Sequence, residues 1–333
     1  MATSCSHFKM IAMDQKPLLS IIIPNYNNDQ YIRECLDSVL DQSYKDIEIV
    51  VADDCSTDHS NDIIREYEKK YTGMVRTIFL PANRGPAYAR HEAILNAKGD
   101  FITTIDSDDY YYDSHKLKKE MELIEYYGEK ENKDIIAFSN VILVDRERQT
   151  IGPQWRDESI REGMILKDVI ARSCMIPRDF IMKKSAYFNV GGYDFSFKTH
   201  EDWDLKIRLA AKFQYFYTGI NGTAYRRNGA GLSSTPHCLR SRNLLEVFNK
   251  NIHLISTSVD KRDTEETFLL FMNKRERNFM DNLFNRFQAK FRDDPKLEAI
   301  NFYFRNLVYN FGFKGFYFFF KELLRRRNQY AKI

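Results

Sequence analysis

Cysteine is scarce in this chain and never suitably spaced. The five residues, Cys5, Cys35, Cys55, Cys174 and Cys238, include no C-x-x-C pair, and their number is odd. That argues against a disulfide framework or a zinc ribbon and fits a reducing compartment. Long apolar runs are also missing: no window reaches the roughly 18 uncharged apolar residues of a membrane-spanning helix. Residues 1–16 lack a continuous apolar stretch, so they are expected to be a flexible leader and not a signal peptide. Excess charge of one sign is missing as well. Lys and Arg total 50 against 47 Asp and Glu, a net +3, which gives no basis for a nucleic-acid partner.

What is present is a rhythm. Four apolar runs, Leu18–Ile23, Ile47–Ala52, Val75–Leu80 and Phe101–Ile105, are rich in β-branched residues and apolar on both faces. Such runs read as strands buried in a parallel sheet. Helical stretches separate them. Tyr31–Leu40 sets Ile32, Cys35, Leu36 and Val39 on one face, Asp58–Lys70 opens on an N-cap residue, and Pro86–Ala97 has a face of Ala89, Ala93, Ile94 and Ala97. The alternation predicts an open, doubly wound α/β sheet with helices on both faces. Further on, Ile135–Val144 and Arg178–Lys183 read as strands, residues 145–165 as a polar acceptor-side loop, and Glu201–Ala211 as a helix with Asp204 and Arg208 paired. From about Cys238 long, charged, aromatic-spotted helical stretches follow. The expected organisation is a leader over 1–16, a catalytic domain over 17–237 and a helical C-terminal region over 238–333.

In such sheets ligands bind beyond the carboxyl ends of the strands. The segments following the four runs are Pro24-Asn25-Tyr26-Asn27, Asp53-Asp54, Pro81-Ala82-Asn83-Arg84 and Asp106-Ser107-Asp108-Asp109, all expected on one rim. Each has two readings. Three carboxylates within four residues suit Mg²⁺ or Mn²⁺, or form an acidic turn before the helix near Ser114. Asp53 and Asp54 can accept from a ring N–H or sugar hydroxyl, or form a solvated loop. Pro24 and Tyr26 can sandwich a base, or simply end a strand. Arg90, near the start of the helix that Gly85-Pro86 opens, can reach a diphosphate or be a surface arginine. Asp202, in His200-Glu201-Asp202-Trp203-Asp204, can be a general base, or the capping-box partner of Thr199. Tyr225-Arg226-Arg227, with Ser233-Ser234, reads as a basic loop that closes over phosphates or stays solvated.

The ordered set of stretches from about Leu18 to Ser234 resembles the family 2 glycosyltransferases of the GT-A fold. It includes Ser20–Asn27, Gln42-Ser43-Tyr44, Glu48–Asp58, Asn83-Arg84-Gly85 with Ala89-Arg90, Ala97–Phe101, Asp106–Asp109, Gly191-Gly192-Tyr193-Asp194 and Glu201–Leu205. The resemblance implies an inverting transfer from a nucleoside-diphosphate sugar, with uridine diphosphate the expected leaving group, to a hydroxyl acceptor. It implies that Pro24, Tyr26 and Asp53 hold the base. Asp106 and Asp108 match Asp-x-Asp on ribose and metal–diphosphate, Asp109 shares the metal, and Asp202 is the base. The donor-binding set is then Pro24, Tyr26, Asp53, Arg84, Arg90, Asp106 and Ser107. One departure is Asn228, where many relatives carry histidine after Tyr-Arg-x. A nucleotidyltransferase would need a phosphate loop rich in Gly and Lys or Arg near the first strand, absent from Leu18–Asn28. A non-catalytic binder would need a broken acidic cluster or a missing base, and both are intact.

The last stretch, Phe311–Ile333, combines Phe311, Phe313 and Phe316–Phe320 with six Lys or Arg against Glu322. It suits an interfacial helix on an anionic membrane, or packing on the preceding helices. The first alternative implies a lipid-linked or envelope glycan acceptor at the cytoplasmic face, with the protein peripheral on the inner membrane.

Overall fold

A computed structural model describes residues 16–153, 159–174, 176–227 and, within 243–256, all but 245, 249 and 252. The sequence-based boundary near 237, the later helical stretches, the aromatic tail, Asn228 and Ser233-Ser234 lie outside the described residues.

The four apolar runs are strands. β1 (Leu19–Asn25), β2 (Ile47–Asp53), β3 (Val75–Phe79) and β4 (Phe101–Thr104) lie in the order β3-β2-β1-β4, all parallel. Helices α1 (Ile32–Leu40), α2 (Ser60–Lys70) and α3 (Pro86–Asn96) connect them. Strand alternation divides the work of burial. Leu19, Ile21 and Ile23 of β1, with Ile47, Ile49 and Val51 of β2, share a core with Ile32, Leu36 and Val39 of α1 and Ile64 and Tyr67 of α2. Ile22 and Val50 are equally buried but outside that cluster, and α3 packs on β1 and β2 through its small-residue face.

A fifth strand, β8 (Met182–Lys183), joins β4 antiparallel. A second sheet was not foreseen as such. Its order is β5-β9-β6-β7, from β5 (Tyr110–Tyr111), β9 (Gln214–Arg226), β6 (Ile135–Val144) and β7 (Thr150–Pro153). Ala137 of β6 exchanges backbone hydrogen bonds with Ile181 at 3.0 and 2.8 Å, tying this sheet to the first. Two expectations change here. Residues 145–165 contain a strand, β7, paired antiparallel with β6. Tyr225 and Arg226 are the end of β9, not a loop.

Helix α4 (Lys116–Glu131) is fixed at its start by Gln42, whose Oε1 accepts the Leu117 N–H at 3.1 Å and whose Nε2 donates to the Asp113 carbonyl at 3.0 Å. Further helices among the described residues are α5 (Leu166–Ala171), α6 (Lys184–Asn189), α7 (Glu201–Ala210) and a short one at His253–Ser256. Gly191 and Gly192 form the turn after α6 with φ of 84° and 66°. No helix among the described residues is long and apolar enough to cross a membrane.

Gly99 sits where chains approach closely: a Cβ there would lie 2.5 Å from the Leu18 carbonyl oxygen and 2.6 Å from the Ser20 Oγ. Gly99→Ala is therefore expected to cost about 1–3 kcal/mol, the usual range for overpacking, read as a lower midpoint in urea unfolding.

Candidate functional site

The site grows from the ends of β1, β2 and β4. Asn25 closes β1, and its Nδ2 donates to Asp53 Oδ2 at 2.8 Å. Ser56 gives Asp53 two more bonds, from its N–H at 2.8 Å and its Oγ at 2.6 Å. Asp54 accepts the backbone N–H of Arg84 at 2.8 Å and of Gly85 at 2.7 Å, locking the turn before α3 onto the end of β2. Both carboxylates are buried, so the solvated-loop reading fails. The Arg84 guanidinium lies over the Tyr88 ring, 3.6 Å from its centroid. Pro24 is buried within β1, paired with Ala52, whereas Tyr26 is 46 % exposed. Of the proposed stacking pair, only the tyrosine offers an open ring.

Asp106-Ser107-Asp108-Asp109 follows β4, and one carboxylate oxygen from each of its three aspartates lies within 4.8 Å of the other two. Ser107 is buried and accepts from Asn28 Nδ2 at 2.8 Å, which joins the β1 and β4 loops. An all-carboxylate donor set at this separation fits Mg²⁺ or Mn²⁺. The surroundings offset the repulsion. Asp106 Oδ1 takes Arg90 Nη2 at 2.6 Å, and its Oδ2 takes Arg178 Nη1 at 2.7 Å. Asp109 accepts the Arg226 backbone N–H at 2.8 Å and faces Arg178 Nη2 at 3.4 Å. Burial pushes Asp106 upward, but Arg178 and Arg90 outweigh it and hold the carboxyl below the ordinary range. For Asp109 burial and the Asp108 charge prevail over Arg178, and its carboxyl is pushed well up.

Arg90 is neither a surface arginine nor a free cation. Its side chain is 2 % exposed, and its other amino group pairs with Glu201 Oε1 at 3.2 Å. That bond brings the first turn of α7 against the acidic loop. Asp202 stands at the second position of α7, 28 % exposed, and its Oδ2 receives Lys206 Nζ at 2.8 Å. The capping-box reading is not met. The cap position is His200, at φ 68°, without a side-chain cap bond, and the Thr199 Oγ1 accepts from Asn243 instead. Burial would raise the Asp202 carboxyl, but Lys206 first, and then Arg178 and Arg90, hold it below the carboxylate range.

Arg226 was expected in a basic loop that closes over phosphates or stays solvated. Its side chain is buried, with Nε donating to the Asp108 carbonyl at 3.0 Å, Nη1 to the Arg146 carbonyl at 3.1 Å, and Nη2 pairing with Glu34 of α1. Its guanidinium lies 4.7 Å from the Tyr31 ring centroid. Four residues thus entered the site without a sequence assignment. Lys206 was legible, because it stands four positions after Asp202 on one helix. Arg178, Glu201 and Glu34 were not, since each meets its partner only through the tertiary fold.

The profile of the family described as "Glycosyl transferase family 2" matches residues 20–188. Among curated proteins, the glycosyltransferase GlyG of Streptococcus pneumoniae serotype 4 is 35 % identical over 248 residues, covering 71 % of this chain and 79 % of its own. The first three curated relatives are matched over only 42 %, 51 % and 58 % of their own lengths. Among solved structures, S. aureus TarS 1–349 in complex with UDP-GlcNAc superposes with a TM-score of 0.61 at 19 % identity, covering 77 % of this chain and 71 % of that one. The mannosyltransferase PcManGT from Pyrobaculum calidifontis, in complex with GDP-Man and Mn²⁺, gives 0.53 at 18 % identity over 72 % and 65 %. At these identities the structures speak for the GT-A fold.

Proposed function

Because the chain belongs to the family 2 glycosyltransferases, enzymes that use nucleotide sugars, we propose that it performs a metal-dependent, inverting transfer from a nucleoside-diphosphate sugar to a hydroxyl group. The observation that carries this reading is the joining of Asp106 to the first turn of α7 through Arg90, which sets the acidic loop beside the helix that bears Asp202. Asp108 and Asp109 are the residues that would hold Mg²⁺ or Mn²⁺, beside Asp106, whose two oxygens pair with Arg90 and Arg178. Once bound, such a cation offsets the charge that develops on a departing diphosphate.

In this reading Tyr26 stacks on the base, and Asp53, with Asn25 and Ser56 fixing its orientation, accepts from the base edge. Arg84, Asp106 and Ser107 line the ribose and diphosphate. Asp202 takes the proton of the acceptor hydroxyl while that oxygen attacks the anomeric carbon opposite the leaving group. The bond from carbon to the diphosphate oxygen breaks as the new glycosidic bond forms, so the configuration inverts. A uridine donor is favoured by the TarS complex, while the GDP-Man complex on the same fold means that the fold alone does not select the base. The basic aromatic tail supports a lipid-linked or envelope glycan acceptor at the cytoplasmic face.

Removing divalent metal with EDTA is expected to abolish transfer, and adding back Mn²⁺ or Mg²⁺ to restore it. The measurement is release of nucleoside diphosphate from UDP-sugars in the presence of acceptor extracts. Full activity of a verified metal-free preparation would remove the metal from this proposal.

A further inference from the structure

Arg178 spans two of the three carboxylates of the acidic cluster, Asp106 and the metal-holding Asp109. Its Nη1 lies 2.7 Å from Asp106 Oδ2 and its Nη2 lies 3.4 Å from Asp109 Oδ2. The two arginines on this loop differ in kind. Arg90 is sealed inside, between Asp106 and Glu201, whereas the Arg178 side chain is 35 % exposed. The Arg178 backbone is firmly anchored. Its N–H donates to the Tyr225 Oη at 3.0 Å, and its carbonyl accepts from Thr104 Oγ1 at 3.1 Å. The guanidinium lies 5.0 Å from the Tyr225 ring centroid, a face along which it can shift while remaining cation-bound.

A guanidinium and a divalent cation compete for the same oxygens. Asp109 Oδ2 faces Arg178 Nη2 now, and Asp109 is the buried carboxylate of the cluster. Holding both cations against it at contact distance would place like charges side by side in a partly desolvated loop. We propose that Arg178 is the resident counter-ion of the acidic cluster, displaced from Asp109 by the incoming divalent cation and thereby freed to engage the donor's diphosphate. The inference rests on the metal reading given above. A guanidinium suits the exchange, because its planar fork pairs with carboxylate and phosphate oxygens alike.

The exchange predicts coupling. In the apo protein the metal must break the Arg178 pair to enter. With a nucleoside diphosphate present, the released guanidinium gains a new anion, so metal and nucleotide each favour the other, by the same factor. The test is Mn²⁺ binding, followed by the electron paramagnetic resonance signal of free Mn²⁺, with and without UDP. Arg178→Gln is expected to bind Mn²⁺ about tenfold or more tightly than the wild type without nucleotide, the scale of one charge-assisted hydrogen bond removed. The strengthening of Mn²⁺ binding by UDP is expected to shrink in the same variant. Arg178→Lys, which keeps the charge but loses the fork, should fall between and guards against loss of folding in the glutamine variant. Equal or weaker Mn²⁺ binding by both variants without nucleotide would overturn the exchange. Absence of Mn²⁺ binding in the wild type and both variants, or binding untouched by Asp108→Asn, would overturn the metal reading beneath it.

Discussion

Asp202→Asn is expected to lower turnover by about 10²-fold or more, the usual scale for a positioned base, with donor affinity preserved. The substitution keeps the shape of the side chain, and the amide oxygen can still accept from Lys206 Nζ, now 2.8 Å from the carboxylate. The Lys206 ammonium and the two nearby guanidiniums hold Asp202 low, so it is ionised across the whole neutral range. Any acid limb seen between pH 5 and 7 must then belong to another group. Single-turnover kinetics with saturating donor, alongside equilibrium binding of the nucleoside diphosphate, separates the two contributions. A loss of donor affinity matching the loss of rate would make Asp202 a structural residue and leave the reaction without its base.

The second large effect is on stability and lies beneath the site. Lys116 is fully buried. Its Nζ pairs with Glu120 Oε2 at 2.8 Å, stands 3.6 Å from Asp179 Oδ2, and donates to the Asp179 carbonyl at 2.8 Å. Lys116→Met leaves two buried carboxylates with no cation between them, which is expected to cost about 3–5 kcal/mol, the scale for breaking a buried pair. The cost should grow with pH. Glu120 is raised to about 7, by burial first, with Asp179 adding and Lys116 opposing. A carboxyl raised in the folded state contributes stability below its unfolded value near 4.5, and that contribution is lost as pH rises through 7. Removing the lysine raises Glu120 further and steepens the loss. Urea unfolding at pH 5 and pH 8 should show the larger destabilisation at pH 8. A pH-independent difference would mean that Glu120 is not protonated in the folded variant.

The first sheet was legible because its strands are continuous apolar runs, each ended by polar residues. Those runs needed no partner to be recognised, and their order along the chain fixed a shared rim. The second sheet was not legible from the same signal. β9 has three aromatics in succession, Tyr215-Phe216-Tyr217, and includes Gly219 and Gly222, so Gln214–Arg226 shows no simple period-two pattern. Direction was hidden as well. β8 runs antiparallel to β4, so Arg178, at the start of its stretch, arrives at the carboxyl end of β4, where the acidic loop begins. A reading that assumes parallel strands sends such a residue to the opposite end. The buried arginines were misjudged for a related reason. Arg90 and Arg226 look like surface or loop cations in isolation, and only a carboxylate far along the chain makes their burial tolerable.

The irregular pairing of β9 with β6 has a consequence for how this scaffold can change length. β9 spends four residues going from Tyr217 to Asn221 while β6 spends two going from Phe138 to Asn140, and a second irregularity follows before Thr223. This slack separates the strand into two independently registered halves. The first half sits beside the helix that carries Asp202. The second, Thr223–Arg226, alternates its anchors: Thr223 and Tyr225 hydroxyls bond Asp179, while the Arg226 backbone bonds Asp109. A residue gained or lost within that second half would turn each of these groups to the wrong face. The same change at residues 218–220 would be absorbed where the ladder is already uneven. Drift in chain length should therefore gather at the bulge and stop short of the anchors.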